Sequence, residues 1–383
     1  MRKILIFITM ILLLLLMVSG CTANSSEGTT ELEVDESSNE EAITVIEKEE
    51  KTVDVSEINL KEILDEKYGK KEMEPIFDET KSYAKLTGLI IDPELVDRRV
   101  FAIMFDNHYG ARPQAGLSQA DIVYEILAEG WITRYMGIFQ SQYPENIGPV
   151  RSARDYFLDR ALEYDAFYTH VGGSPKGLAD IKRLNAYDID AMACRANTFW
   201  RIDYKKIPHN MYTSSEAIIK EAQRKNYALE NSIDFFDFYK KDTMLNGEKG
   251  RIMKITYMKP TSYDSVGYVS EFRYDENTGL YTRLVNGKEY IDENNKEVLT
   301  TKNILVQYAK HQVIDNVGRR KVDFVGTGKG LYFTNGEYIP VTWEKLSEKG
   351  RTKFYNASGE VIQLNRGNTW VQVVPTNLDV SIE

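Results

Sequence analysis

Residues 166–176 read Ala-Phe-Tyr-Thr-His-Val-Gly-Gly-Ser-Pro-Lys, and their order decides the reading of the fold. Ala166 to Val171 is a short apolar run of strand type. Gly172 and Gly173 turn the chain. Ser174 then suits the N-cap of a helix and Pro175 its first position, where a missing N–H leaves no bond unmade. Backbone N–H groups free at such a strand-to-helix junction suit an anion. The same geometry is also needed simply to turn the chain, and both readings stand.

Upstream, Gly148-Pro149-Val150-Arg151-Ser152-Ala153-Arg154-Asp155 leads into another helix. Ser152 and Asp155 form a capping-box-like pair, and Ala153, Tyr156, Phe157, Ala161 and Tyr164 recur at helical spacing. Arg151 and Arg154 stand against the helix dipole there. A carboxylate such as Asp155 or Glu125, or a bound anion, has to offset them. Further upstream, Val100 to Phe105 is a strand closed by Asp106-Asn107-His108. Asp121 opens a second strand, Ile122 to Glu129, which turns at Glu129-Gly130-Trp131 and returns over Ile132 to Ser141. Pairing 129 with 132 places Glu125 and Arg134 diagonally across one face as an ion pair. Downstream, Thr213 and Glu216 form a capping box ahead of Ala217, Ile218 and Ala222. Strands alternating with helices predict a mixed α/β domain over residues 60–240, with some antiparallel pairing.

From residue 250 the pattern becomes short alternating runs split by Asn277-Thr278-Gly279, Asn286-Gly287, Asn335-Gly336 and Ser358-Gly359. This predicts a smaller, mostly β domain over 250–383, after a boundary near Tyr239 to Gly250. The fold class is thus α+β, mixed. Gly326-Thr327-Gly328-Lys329-Gly330 lacks P-loop spacing and is followed by a strand, so it reads as a hairpin turn.

The N-terminus states where the protein works. Arg2 and Lys3 precede an apolar run from Ile4 to Val18, and Val18-Ser19-Gly20-Cys21 has the small-small-Cys form of a bacterial lipobox. Residues 1–20 are expected to be a lipoprotein signal peptide, with Cys21 lipidated and holding the protein on the extracytoplasmic face of the cell membrane. Residues 22–59 hold twelve acidic residues against Lys48 and Lys51 and no aromatic residue. That composition predicts a disordered tether spanning roughly 35 Å as a coil. The tether carries ten of the net negative charges and the signal two positive ones, which leaves −2 on residues 60–383. A near-neutral body without a basic patch argues against nucleic acid as a partner. Once Cys21 is lipidated only Cys194 remains, and the four histidines show no zinc-type spacing.

The stretch from Phe105 to Pro175 resembles the YerB-like family of bacterial lipoproteins. The residues that carry it are Asp106-Asn107-His108, Arg112-Pro113-Gln114, Ala120 to Glu125, Ile132-Thr133-Arg134, Gly148 to Arg154 and His170 to Ser174. Gly328-Lys329-Gly330, Tyr332-Phe333 and Asn365-Arg366-Gly367 to Trp370 match the family's second domain. Trp131 departs from it, standing where a second turn glycine is expected. The resemblance implies a two-domain anchored lipoprotein and carries no assigned chemistry. A looser similarity, in order of elements only, is to the LytR-CpsA-Psr wall-polymer transferases, without their short Pro-Arg-Asp pattern.

Two functional expectations follow. One is a non-catalytic envelope module without cofactor that binds an envelope protein or a cell-wall component. The alternative is a site for phosphate or pyrophosphate ligands built from Arg134, Arg151, Arg154, His170, Gly172, Gly173 and Ser174. In that case the acidic candidates Asp106, Asp121, Glu125 and Asp155 could supply Mg²⁺ ligands for phosphotransferase-like chemistry.

Overall fold

The apolar run after Val100 becomes strand β1 (Phe101–Phe105), buried along its whole length. A strand buried on both sides reads as a continuous apolar run, because each face must meet a packed layer. The computed structural model describes residues 77–260 and 266–383. The signal, Cys21 and the 21–59 tether lie outside the described residues. Among the described residues the chain is mostly sheet, with three α-helices: α1 (Asp155–Glu163), α2 (Pro175–Arg183) and α3 (Ser215–Arg224).

Further strands of the first half are β2 (Ile122–Leu127), β3 (Thr133–Phe139), β4 (Phe167–His170) and β5 (Tyr187–Asp190). The second half contributes β6 (Ile252–Met258), β7 (Tyr268–Asp275), β8 (Leu280–Val285), β9 (Asn303–Val313), β10 (Gly326–Thr334), β11 (Glu337–Lys345) and β12 (Thr369–Pro375). The main sheet is mixed, in the order Lys353–Tyr355, β11, β10, β9, β12, β2, β3, β1, β4, β5. β12 lies parallel between β9 and β2, so the two sequence regions share one sheet. Strands β6, β7 and β8 belong to a second, six-stranded sheet.

One face of the main sheet packs Ala102, Met104, Ile122 and Tyr124 against Tyr156, Phe157 and Ala161 of α1 and Ile181 of α2. The other packs Phe101, Ile103, Phe105 and Val123 against Ile218 of α3 and Met253, Ile255 and Phe272 of the second sheet. Strands β1, β2, β4 and β5 all point the same way, with β3 antiparallel between β1 and β2. Their C-terminal ends therefore form one edge of the molecule. In open sheets that edge is the usual place for a ligand.

Four expectations change. β2 and β3 pair Glu125 with Tyr135 and Ile126 with Arg134. This is one residue off the expected register, and a one-residue slip moves every side chain to the opposite face. Glu125 and Arg134 therefore do not meet. The N-cap of α1 is Arg154, with no side-chain cap, and that of α3 is Ser214 rather than Thr213. Ser174 does cap α2, accepting the Gly177 N–H at 3.1 Å. The glycine run 326–330 is the start of β10, not a turn. A Cβ at Gly328 would stand 2.6 Å from the Trp343 indole across the ladder, which explains the glycine. In the β2–β3 turn both Gly130 and Trp131 have positive φ (65° and 64°), and the Arg320 guanidinium lies over the Trp131 ring. A tryptophan there sits where glycine is favoured.

Candidate functional site

At the carboxyl edge the main chain of residues 150–153 threads between β1 and the turn after β4. Arg151 N–H donates to Met104 O, and Ala153 N–H donates to Gly172 O. This brings Asp106, Arg134, Arg151, Arg154, His170, Gly172, Gly173, Ser174 and Asp155 to one end of the sheet. Their side chains then divide into closed and open sets.

The closed set is extensive. Arg154 Nε lies 2.7 Å and Arg134 Nη2 3.4 Å from the Glu129 carboxylate, and Arg134 also donates to Ser152 O. The partner that offsets these cations is therefore Glu129, not Asp155 or Glu125. Burial and the neighbouring Arg154 lower the Arg134 pKa to about 10. Burial works to raise that of Glu129, but the hydrogen bond from Arg154 and both positive charges outweigh it and hold the carboxyl below its usual range. His170 is fully buried between Gly172 O at 2.9 Å and Asp188 at 2.8 Å. Gly172 N–H donates to Asp190 at 2.7 Å. Gly173 is there for packing, since a Cβ would stand 3.1 Å from that of Ala153. Asp155 pairs with Lys176 at 3.5 Å. The Gly172 and Ser174 N–H groups of this junction, the latter donating to Ala153 O, are thus spent inside the fold.

Two acidic candidates lie elsewhere. Asp121 precedes β2 at the opposite edge, where it accepts the N–H groups of Gln140 and Ser141. Burial raises its pKa against those bonds. Asp106 and Asp121 thus do not form one cation site. Glu125 is fully buried and faces the second sheet. Its carboxylate accepts from Thr133, Tyr268, Ser270, Arg283 and Gln372. Among the described residues no three His, Cys, Asp or Glu side chains are grouped to hold a metal.

The open set is centred on Asp106. Its carboxylate is 2.6 Å from His209 Nδ1 and 3.4 Å from Arg151 Nε, and it accepts the His108 N–H at 3.0 Å. His108 stacks on His209, centroids 4.3 Å apart and planes within 4°. Its Nδ1 accepts the Gly110 N–H. Burial, then the neighbouring His209, lowers the His108 pKa. Arg151 touches Asp106 through Nε, and its side chain is 28% exposed. Arg112 is held by Asn107 through Nε and Nη2, and its guanidinium lies over the Tyr268 ring. His108, Tyr109 and Arg112 separate two recesses. One, of about 380 Å³, is walled by Ile132, Met258 and Tyr268. The other, of about 740 Å³, is lined by Tyr204, Lys206, His209 and Lys296.

Asp106 was legible in the sequence as the polar residue that closes an apolar run, and Arg151 as a cation at a helix entry that calls for an anionic partner. His209 was not, since it is 103 residues from Asp106 in the chain. The only local sign is a histidine after proline in a polar loop, Ile207-Pro208-His209-Asn210.

Comparison with known proteins sets this geometry in a family. Residues 86–228 match the domain described as "Protein of unknown function (DUF3048) N-terminal domain", and residues 248–371 match its C-terminal counterpart. A protein of Bacillus subtilis (strain 168) named "Putative lipoprotein YerB" is 37% identical over 295 residues, covering 77% of this chain and 87% of the relative. The crystal structure of the YerB protein from Bacillus subtilis superposes with a TM-score of 0.71 at 36% identity, over 79% of this chain and 100% of that one. Both halves of the match supply walls to the cleft around His108, and the chain belongs to the YerB-like family.

Proposed function

We propose that this protein is a lipid-anchored binding protein of the extracytoplasmic face of the cell membrane. Acyl chains on Cys21 and the 21–59 tether hold it there. Its partner is an anionic group presented by a cell-wall component or an envelope protein, taken at the open cluster of Asp106, His108, Arg112, Arg151 and His209. The observation that carries this reading is the contrast between arginines. Arg134 and Arg154 are closed on Glu129, whereas Arg151 meets one carboxylate through one nitrogen and remains partly exposed beside two stacked imidazoles. A guanidinium with donors to spare, on the same carboxylate as the His209 that lines a recess, suits a phosphate or carboxylate. Nucleic acid has no part in this reading.

Thermal unfolding of the full-length protein in detergent tests it, with inorganic phosphate or pyrophosphate present and absent. An anion bound to the native state alone raises the melting temperature. The shift should vanish in Arg151→Ala and persist in Arg154→Ala, which loses stability instead. No shift with the unaltered protein overturns the proposal.

One observation favours an enzymatic second reading. An imidazole held by a carboxylate through Nδ1, as His209 is by Asp106, is the arrangement of a general base. Phosphate ester hydrolysis lost in His209→Asn, assayed with and without Mg²⁺, would replace the non-catalytic reading.

A further inference from the structure

We infer that the ligand of this site is a saccharide bearing the anion, rather than the anion alone. This rests on the binding reading above and names its ligand class. The recess of about 740 Å³ next to the histidines has a rigid floor. The Lys205 ammonium, 9% exposed, donates to Ala111 O at 3.0 Å, Pro113 O at 2.6 Å and the Tyr212 hydroxyl at 2.9 Å, and it pairs with Glu293. Glu293 also accepts from the hydroxyls of Tyr204 and Tyr212. One buried ion pair thereby ties together the loop after β1, the loop carrying His209 and the turn carrying Glu293. The walls are set before any ligand arrives, which lowers the ordering cost of binding.

Around this floor stand large side chains that the fold leaves in water. Tyr109 is 76% exposed, Tyr204 66% and Ile207 70%. Covering such surface is worth roughly 25 cal/mol per Å². Tyrosine offers a flat apolar face with a polar rim, at small cost in side-chain freedom. Cations share the same rim. Arg112, Lys206 and Lys296 line the recess, while Glu293 is already neutralised by Lys205. A bare phosphate would use the cations and leave the rings wet. A neutral sugar would use the rings and leave the cations unmatched. A sugar ring with a phosphate or carboxylate satisfies both, its C–H face on a tyrosine and its charge toward Arg112 and Arg151.

Isothermal titration of the full-length protein in detergent separates these cases, with N-acetylglucosamine 1-phosphate, N-acetylglucosamine, inorganic phosphate and AMP as probes. The sugar phosphate should bind at least about tenfold more tightly than inorganic phosphate, a gain of about 1.4 kcal/mol. Tyr109→Ala and Tyr204→Ala should each reduce that ratio and leave inorganic phosphate binding unchanged. Tyr204→Phe keeps the ring, loses the hydroxyl bond to Glu293, and should retain the ratio. Equal affinities for sugar phosphate and phosphate, both dependent on Arg151, would overturn the saccharide inference and leave the anion reading intact. AMP binding more tightly than the sugar phosphate would overturn it in favour of a nucleotide. Binding of no anion at all would remove the underlying reading.

Discussion

Glu125 in the middle of β2 and Asp106 at the end of β1 each meet an arginine, one strand apart in the same sheet. Glu125 and Arg283 are both fully buried, 3.1 Å apart, and four other donors complete the carboxylate. Asp106 is also buried, but Arg151 is partly exposed and the histidines beside it open onto a recess. Burial turns the first pair into a structural joint between the sheets. Position at the carboxyl edge leaves the second with capacity for a ligand. Residue type does not separate the two sites, whereas the number of donors already spent does.

The largest effect expected from breaking this comparison is on the buried side. Arg283→Met leaves the buried Glu125 without its cation, and removal of one partner of a buried pair costs about 3–5 kcal/mol. Urea unfolding measures it, and a loss below about 1 kcal/mol would mean that the pair is not the joint described here. Replacing Glu125 as well should recover part of the loss, since the two residues are coupled.

A smaller effect is expected at Glu129, which holds Arg134 and Arg154 and is 22% exposed. Glu129→Gln should cost about 1–2 kcal/mol near neutral pH, in line with hydrogen bonds to charged groups. Its folded-state pKa lies below the ordinary glutamate value. Its stabilisation is therefore complete above that ordinary value and is lost as pH falls through the folded pKa, in the acid range. The variant should flatten that part of the stability profile. Arg151→Ala should change stability by less than about 1 kcal/mol, since Arg151 is partly exposed and the buried Asp106 keeps His209 and the His108 N–H, while removing anion binding.

The finest test is at His108. Burial and the neighbouring His209 favour its neutral form, so its imidazole resonances should titrate below the ordinary histidine range. His209→Asn should bring the midpoint back toward that range. A midpoint unmoved by His209→Asn would mean that the stacked rings are not electrically coupled.

The β2–β3 hairpin was visible in the sequence because alternation and a turn glycine are local. Its register was not, since 129–132 and 128–132 pairings differ by a single loop residue, and the chain closes 128 on 132 with Gly130 and Trp131 both at positive φ. With the observed register Glu125 faces Arg283 and Arg134 faces Glu129. The glycine run at 326–330 misled for a related reason. Its composition matches a turn, yet Gly328 is needed because Trp343 crosses the ladder there.

Features carried by neighbours within one turn or one strand were open to reading in the chain, the caps of α1 and α3 and the 326–330 run excepted. β1 is the buried run after Val100, Ser174 caps α2, Asp106 closes an apolar run and Arg151 is a cation at a helix entry. Period, capping and turn chemistry act over a few residues, so they can be read from the chain alone. Which charge each of these residues meets is set by packing between distant segments. His209 reaches Asp106 across 103 positions and Arg283 reaches Glu125 across 158. No local pattern encodes such partners, because Arg283 stands on β8 of the second sheet and His209 in a loop ahead of α3, and only folding brings them to β2 and β1.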